Sequence, residues 1–257
     1  MFVFFYSSCN NKLMFNYSKD ELIVLPISLL VIIGICIIIY FTLKNKSEKI
    51  KNIPFLIIAS LLLALEVAKQ TLSIIDGSWS WWTFPLHFCS LYMIWFSLDA
   101  FGKGRVKQVG KTLSFVSCVF FLALFYFEPS SIIGNSCKEL FGSCYSFHTF
   151  FYHHCIILYL GLMVALKTYK TDFKKDLISV IICYSTYFVV AVTLGNLTQT
   201  NYCNLLYSNI TFMQSLLDAI GYIPYLIIMY VFGIGVPSLL LLIKNFLHKR
   251  INKNENN

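Results

Sequence analysis

Charge is scarce in this chain. Asp, Glu, Lys and Arg make up 12% of its 257 residues, where a soluble domain carries about 25%. Hydrophobic residues make up 58%, and the mean hydropathy is +0.70. A water-soluble fold is thereby excluded. No CxxC pair occurs among the nine cysteines, which removes zinc-ribbon and thioredoxin chemistry. There is no HExxH, and the spacings between His148 and His153 or His154 do not align ligands on a helix. No metal and no other cofactor is expected. The N-terminal MFVFFYSSCNNK has no basic n-region and too short an apolar core for a cleaved signal. No internal repeat is detectable, and an inverted repeat is the usual mark of a secondary transporter.

Long apolar runs are what the chain has instead. A helix needs roughly 20 mostly apolar residues to cross the hydrocarbon. Seven runs qualify: 22–43, 53–75, 83–101, 109–127, 147–166, 177–194 and 220–243. The expected fold is all-α, a polytopic membrane protein of seven transmembrane helices in one integral domain, residues 1–257. Thr83 and Pro85 are suitable residues for starting the third helix.

The net charge of +8 does not point to nucleic acid, because its distribution follows the membrane. KNKSEKIK, GKGRVKQVGK, KTYKTDFKK and KNFLHKRINK hold sixteen of the twenty Lys and Arg residues. With seven spans all four runs fall on one side, while Lys12, Lys19 and Lys138 fall on the other. The positive-inside rule then puts the N-terminus outside and the C-terminus in the cytoplasm of a multi-pass cell-membrane protein. WSWW (Trp79–Trp82) lies in an outer loop, as interfacial tryptophan should. Residues 128–146 and 195–219 form the longest outer loops, and Cys137 and Cys144 in the first can pair as an external disulfide.

Ionisable groups within spans are costly, so each is a candidate functional residue. Cys89 lies about 7–9 Å below the outer end of its run, His154 about 10 Å and Glu66 about 13 Å, at about 1.5 Å per residue. Gln70 shares the Glu66 face one turn nearer the surface. Cys89 comes early in its helix, where the dipole favours a thiolate. It also reads as a small buried hydrophobe. Glu66 and Lys69, at i and i+3, also read as a pair that lowers the cost of insertion. His87 reaches Cys89 only if the helix start is unwound, since i and i+2 point nearly opposite ways. Asp76 and Asp99 sit at span ends and are expected to be solvated.

FPLHFCSL at 84–91, FFYHHC at 150–155, GNLTQTNYCNL at 195–205 and SLLDAIGYIPYL at 215–226 occur in that order. Together they resemble the YwaF-like integral membrane proteins, the transmembrane protein 164 family. The resemblance covers about residues 20–245 and implies an ether-phospholipid acyltransferase acting through a Cys and a His. Those roles fall on Cys89 and, through the F-F-x-x-H match, on His154, with His148 as the rival. Cys155 and Cys203 depart from the family pattern at positions outside the proposed chemistry. The implied substrates are membrane phospholipids and lysophospholipids, with transfer through an acyl-cysteine and without coenzyme A. His87, Glu66, Asn201 and Tyr202 are candidates for holding substrate; for Asn201 and Tyr202, hydrogen bonding within a loop is the competing reading. A multi-pass transporter or small-molecule binding subunit is the alternative function, and a receptor-like protein a third.

The charge pattern makes a topological prediction. An impermeant thiol reagent applied to whole cells should label a single cysteine placed at position 135 and leave one at position 107 unlabelled. The reverse result would overturn the orientation.

Overall fold

The structure is a computed structural model, and it describes residues 19–127, 144–208 and 211–255. Among these residues every element is helical. In chain order they are α1 (Lys19–Leu43), α2 (Glu48–Lys51), α3 (Ile53–Ile75), α4 (Leu91–Phe101), α5 (Gly104–Phe127), α6 (Cys144–Ala165), α7 (Phe173–Thr198), α8 (Thr211–Ile220) and α9 (Tyr222–Glu255). Short 3₁₀ turns precede α4 at Phe88–Ser90 and follow α7 at Tyr202–Asn204. Among the described residues five helical segments are long and apolar enough to cross a membrane: Ile23–Leu43, Glu48–Ile75, His148–Ala165, Phe173–Thr198 and Tyr222–Leu247. Cys137 lies outside the described residues, as does its pairing with Cys144.

The helices carry large apolar side chains outward. Ile27, Leu30, Val31, Ile33 and Ile38 of α1 are all more than half exposed. Soluble monomers rarely expose contiguous patches beyond a few hundred Å². In lipid the same surface is solvated, and the chain is a multi-pass membrane protein.

The described residues form two compact units. One holds α1–α6; the other holds the segment Ser80–Phe88 with α7–α9. Hydropathy does not reveal this division, because both units are built from the same kind of helix.

In the first unit the core is aromatic and small-residue packing. Tyr159 of α6 stacks on Phe96 of α4, centroids 3.7 Å apart and nearly parallel, and meets Phe55 of α3 edge-on at 4.9 Å. Thr112, Ser114 and Ser117 of α5 are buried, and the Ser117 carbonyl accepts the Tyr92 hydroxyl at 2.6 Å. Membrane helices, lacking a hydrophobic drive to associate, use such small residues to bring backbones close. Gly110 does so most tightly, since a Cβ there would lie 2.2 Å from the Asp99 backbone nitrogen.

Asp99 corrects an expectation. It is not solvated: it is 2% exposed and accepts the Tyr159 hydroxyl at 2.7 Å. The helix end is covered by the partners packed around it. Asp76, by contrast, is solvated. Hydrogen bonds from Ser78 hold its carboxyl below the usual range.

The third apolar run is also shorter as a helix than expected. It begins at Phe88, so the helical stretch to Phe101 measures about 21 Å at about 1.5 Å per residue. Thr83 and Pro85 lie in turns instead of starting the helix. Proline disfavours helical backbone at Phe84 before it. The Leu86 amide then closes onto the Phe84 carbonyl at 2.7 Å, a three-residue turn. Residues 195–219, expected as loop, contain the amphipathic α8. Gly221, in the left-handed region at φ +80°, ends α8 and redirects the chain into α9.

The α4–α5 contact makes a prediction. Gly110→Ala should lower the thermal unfolding temperature sharply, because overpacking typically costs about 1–3 kcal/mol and here the clash is with backbone. Gly34→Ala, which meets nothing within 4 Å, should leave it unchanged. Melting in detergent checks the pair.

Candidate active site

The face of α3 carrying Glu66, Lys69, Gln70 and Ser73 follows the i, i+3, i+4, i+7 rule. Glu66 is 4% exposed. A lone carboxylate at that position would be prohibitive, and its neighbours offset the cost. The Lys69 ammonium lies 2.7 Å from Glu66 Oε1, and the Gln70 amide donates to the same oxygen at 2.8 Å. Gln70 in turn accepts the Trp79 indole N–H at 2.9 Å, and Ser73 donates to the Lys69 carbonyl. Both local partners therefore use Oε1, leaving Oε2 for a group from another helix.

That group comes from α6. His148 Nε2 stands 3.7 Å from Glu66 Oε2, an ion-pair distance when the imidazole is protonated. The His148 ring stacks on Tyr152, one turn along α6, with centroids 5.1 Å apart. Tyr152 is buried, and its hydroxyl donates to the Ser90 carbonyl at 3.3 Å. Neighbouring contacts thus lead from the Glu66 carboxylate through His148 and Tyr152 to the start of α4. Cys89 lies there, unbridged and half-buried, in the 3₁₀ turn ahead of the free N–H groups of α4.

His154 shares the depth of this cluster but not its direction. On a regular helix it points about 160° away from Tyr152 and about 120° from His148. It lies on the face of Gly161, where an added Cβ would meet Cys36 Sγ of α1 at 2.7 Å. Its Nδ1 donates to the Phe150 carbonyl at 2.7 Å and its ring lies 4.0 Å from that of Phe150. That bond fixes the tautomer, leaving Nε2 as a buried acceptor without a hydrogen-bond partner. His153 is buried beside Phe121.

The remaining candidates belong to the second unit. His87 donates to the Trp82 carbonyl at 3.1 Å, its ring held between Trp82 and Tyr202. Tyr202 is fully buried and donates to the Trp81 carbonyl at 2.6 Å. Asn201 donates to the Tyr207 carbonyl and accepts from the Leu206 amide. The hydrogen-bonding capacity of both is engaged within the protein. Tyr187 donates to the Leu86 carbonyl, and Cys203 Sγ accepts the Phe88 amide at 3.1 Å. The sequence singles out Cys203 only as a departure from the family pattern and Tyr187 not at all, since no linear pattern ties either to residues a hundred positions away. Sequence reading also passed over Tyr152, although the i, i+4 spacing to His148 was a usable signal.

The buried pair makes a prediction. Glu66→Leu leaves Lys69 without its partner, and breaking a buried pair costs about 3–5 kcal/mol. Glu66→Leu with Lys69→Leu should recover most of that loss. Thermal unfolding of the two single variants and the double variant checks this; a double variant less stable than both singles would contradict it.

Comparison with known proteins agrees with the motif order. No curated protein and no solved structure matches the chain. The model of the TMEM164 family matches residues 14–243. That match spans all the helices just described up to the last part of α9, and the chain belongs to the TMEM164 family.

Proposed function

We propose that this protein is a seven-span acyltransferase of the cell membrane, with an external N-terminus and a cytoplasmic C-terminus. It moves fatty acyl chains between phospholipids and lysophospholipids. Cys89 is the nucleophile and His148 the base, with Glu66 behind it. The observation that carries this reading is the free Glu66 Oε2 facing His148, on the same side of α6 as the tyrosine bonded beside Cys89. A thiol, an imidazole and a carboxylate in that order form the nucleophile, base and orienting group of covalent catalysis.

In the first half-reaction His148 takes the Cys89 proton, and the thiolate attacks an ester carbonyl of a phospholipid. The tetrahedral adduct collapses with cleavage of the carbon–oxygen bond. His148 returns the proton to the departing lysolipid oxygen, and the acyl chain remains on sulfur as a thioester. In the second half a lysolipid hydroxyl gives its proton to His148 and attacks the thioester. Cys89 leaves as thiolate and recovers the proton. Each imidazolium state is stabilised by Glu66, whose other oxygen is held by Lys69 and Gln70. Asn201 and Tyr202 hold the loop that supports the Ser80–Phe88 segment.

A second assignment of the base has its own observation. His154 has a free, buried Nε2, the atom a base requires. The two histidines are separated by experiment. With reconstituted protein, a labelled phospholipid donor and a lysolipid acceptor, Cys89→Ala should abolish transfer. His148→Ala should lose about 10²–10⁴-fold, the range for a general base, and His154→Ala should stay near the unaltered rate. Neutral hydroxylamine should release the acyl chain from the trapped enzyme. Inactive His154→Ala with normal His148→Ala moves the base to His154. Full transfer by Cys89→Ala rejects the acyl-cysteine, and no transfer by the unaltered protein favours the transport alternative.

A further inference from the structure

At the other end of α4, about 15 Å along the helix from Cys89, a cavity of about 70 Å³ opens among α2, α3, α4, α5 and the residues after α6. Its walls carry Lys51, Lys107 and Lys111 against Glu48 and Asp99, a surplus of one positive charge. None of the proposed acyl-transfer residues lines it.

Lys51 pairs with Glu48 at 3.2 Å, while the other two lysines are held by neutral partners. Lys107 Nζ donates to the Asn52 side-chain oxygen at 2.7 Å, and Lys111 Nζ to the Thr168 carbonyl at 2.7 Å. Asn52 is itself anchored to the Ala100 carbonyl at 2.9 Å. An ammonium has three protons, so both retain donors for a ligand.

Two further groups await a partner. Asp99 Oδ2 is engaged by Tyr159, but Asp99 Oδ1 is buried with no hydrogen bond, and so is Thr168 Oγ1. Leaving such groups unsatisfied is costly. A ligand that fits must therefore bring an anion for the lysines and a hydrogen-bond donor for Asp99. One water needs about 10–15 Å³, so the space takes about five such positions, the heavy-atom count of a phosphate group.

The geometry points to a second site in this protein, a cavity at the lysine-rich end of α4 that binds a phosphate group bearing or adjoining a hydrogen-bond donor. Lys107 and Lys111 take the phosphate oxygens, and Asp99 takes the donor. Hydrogen phosphate supplies that donor as P–OH. A phospholipid diester has no P–OH, so a lipid supplies it through the ammonium of an ethanolamine head group and cannot through choline.

The test uses the full-length protein in detergent and in nanodiscs. Titration calorimetry should give hydrogen phosphate at least tenfold tighter than sulfate, which lacks the donor at neutral pH. Or native mass spectrometry should find phosphatidylethanolamine retained over phosphatidylcholine. The first result alone identifies a free phosphate, the second alone a lipid head group. The Lys107→Gln/Lys111→Gln variant should bind the preferred ligand at least tenfold more weakly, with Cys89 alkylation by a small reagent unchanged. No preference in either assay overturns the site, and so does a folded double variant that keeps the full affinity. If the double variant does not fold, the two preferences of the unaltered protein decide the matter. Loss of acyl transfer in Cys89→Ala has no bearing on either preference.

Discussion

A bilayer interior does not hydrate a charge, and the first unit is arranged around that constraint. Glu66 lies where no water compensates it, so Lys69 and Gln70 are drawn onto one carboxylate oxygen. Because they leave the other oxygen open, α6 presents His148 there. Tyr152 follows one turn later and ties the same face of α6 to the start of α4. An arrangement that began as a means of burying a carboxylate thereby holds an imidazole on the side of a thiol. The pairing that lowers insertion cost and the orientation of the His148 imidazole are two effects of one set of contacts.

The second unit meets the same constraint in another form. Ser80–His87 is irregular backbone in a chain otherwise built of apolar helices, and irregular backbone is tolerated there only when its polar groups find protein or water. The carbonyls of Trp81, Trp82 and Leu86 accept from Tyr202, His87 and Tyr187. The Phe88 amide meets the Cys203 sulfur. Cys203 can do this because it and Asn204 adopt left-handed backbone, and the Asn204 carbonyl is held by Tyr225. The N-Y pattern at 201–202 is thus a device for supporting a broken segment. A proline that shortened one helix created the need for it.

Much of the fold was legible because lipid imposes simple rules. A run of apolar residues long enough to cross hydrocarbon has no alternative but helix, so α1, α3, α6 and α7 fall where their runs predict. The third run is helical over only part of its length for a local reason, the effect of Pro85 on Phe84. Asp99 was misjudged as solvated because its place at a span end said nothing of Tyr159 and Gly110, which close over it from two other helices. The amphipathic α8 escaped because its apolar residues are too few for a span and its polar ones resemble a loop.

The sequence by itself determined that this chain lives in a membrane, which segments are helical, and which few residues are too polar for their surroundings. Those are properties of single residues and of one helix at a time. Depth, too, was a sequence quantity, since rise per residue is constant, and it brought Cys89, Glu66 and His154 to comparable levels. Rotation was not. Whether His148 or His154 faces the carboxylate depends on how α6 is turned against α1 and α3. That turn is decided by Gly161 admitting Cys36 on one side and Tyr152 reaching Ser90 on another. Only the tertiary structure holds that information, because contacts between helices, not the period within one, choose which face looks inward.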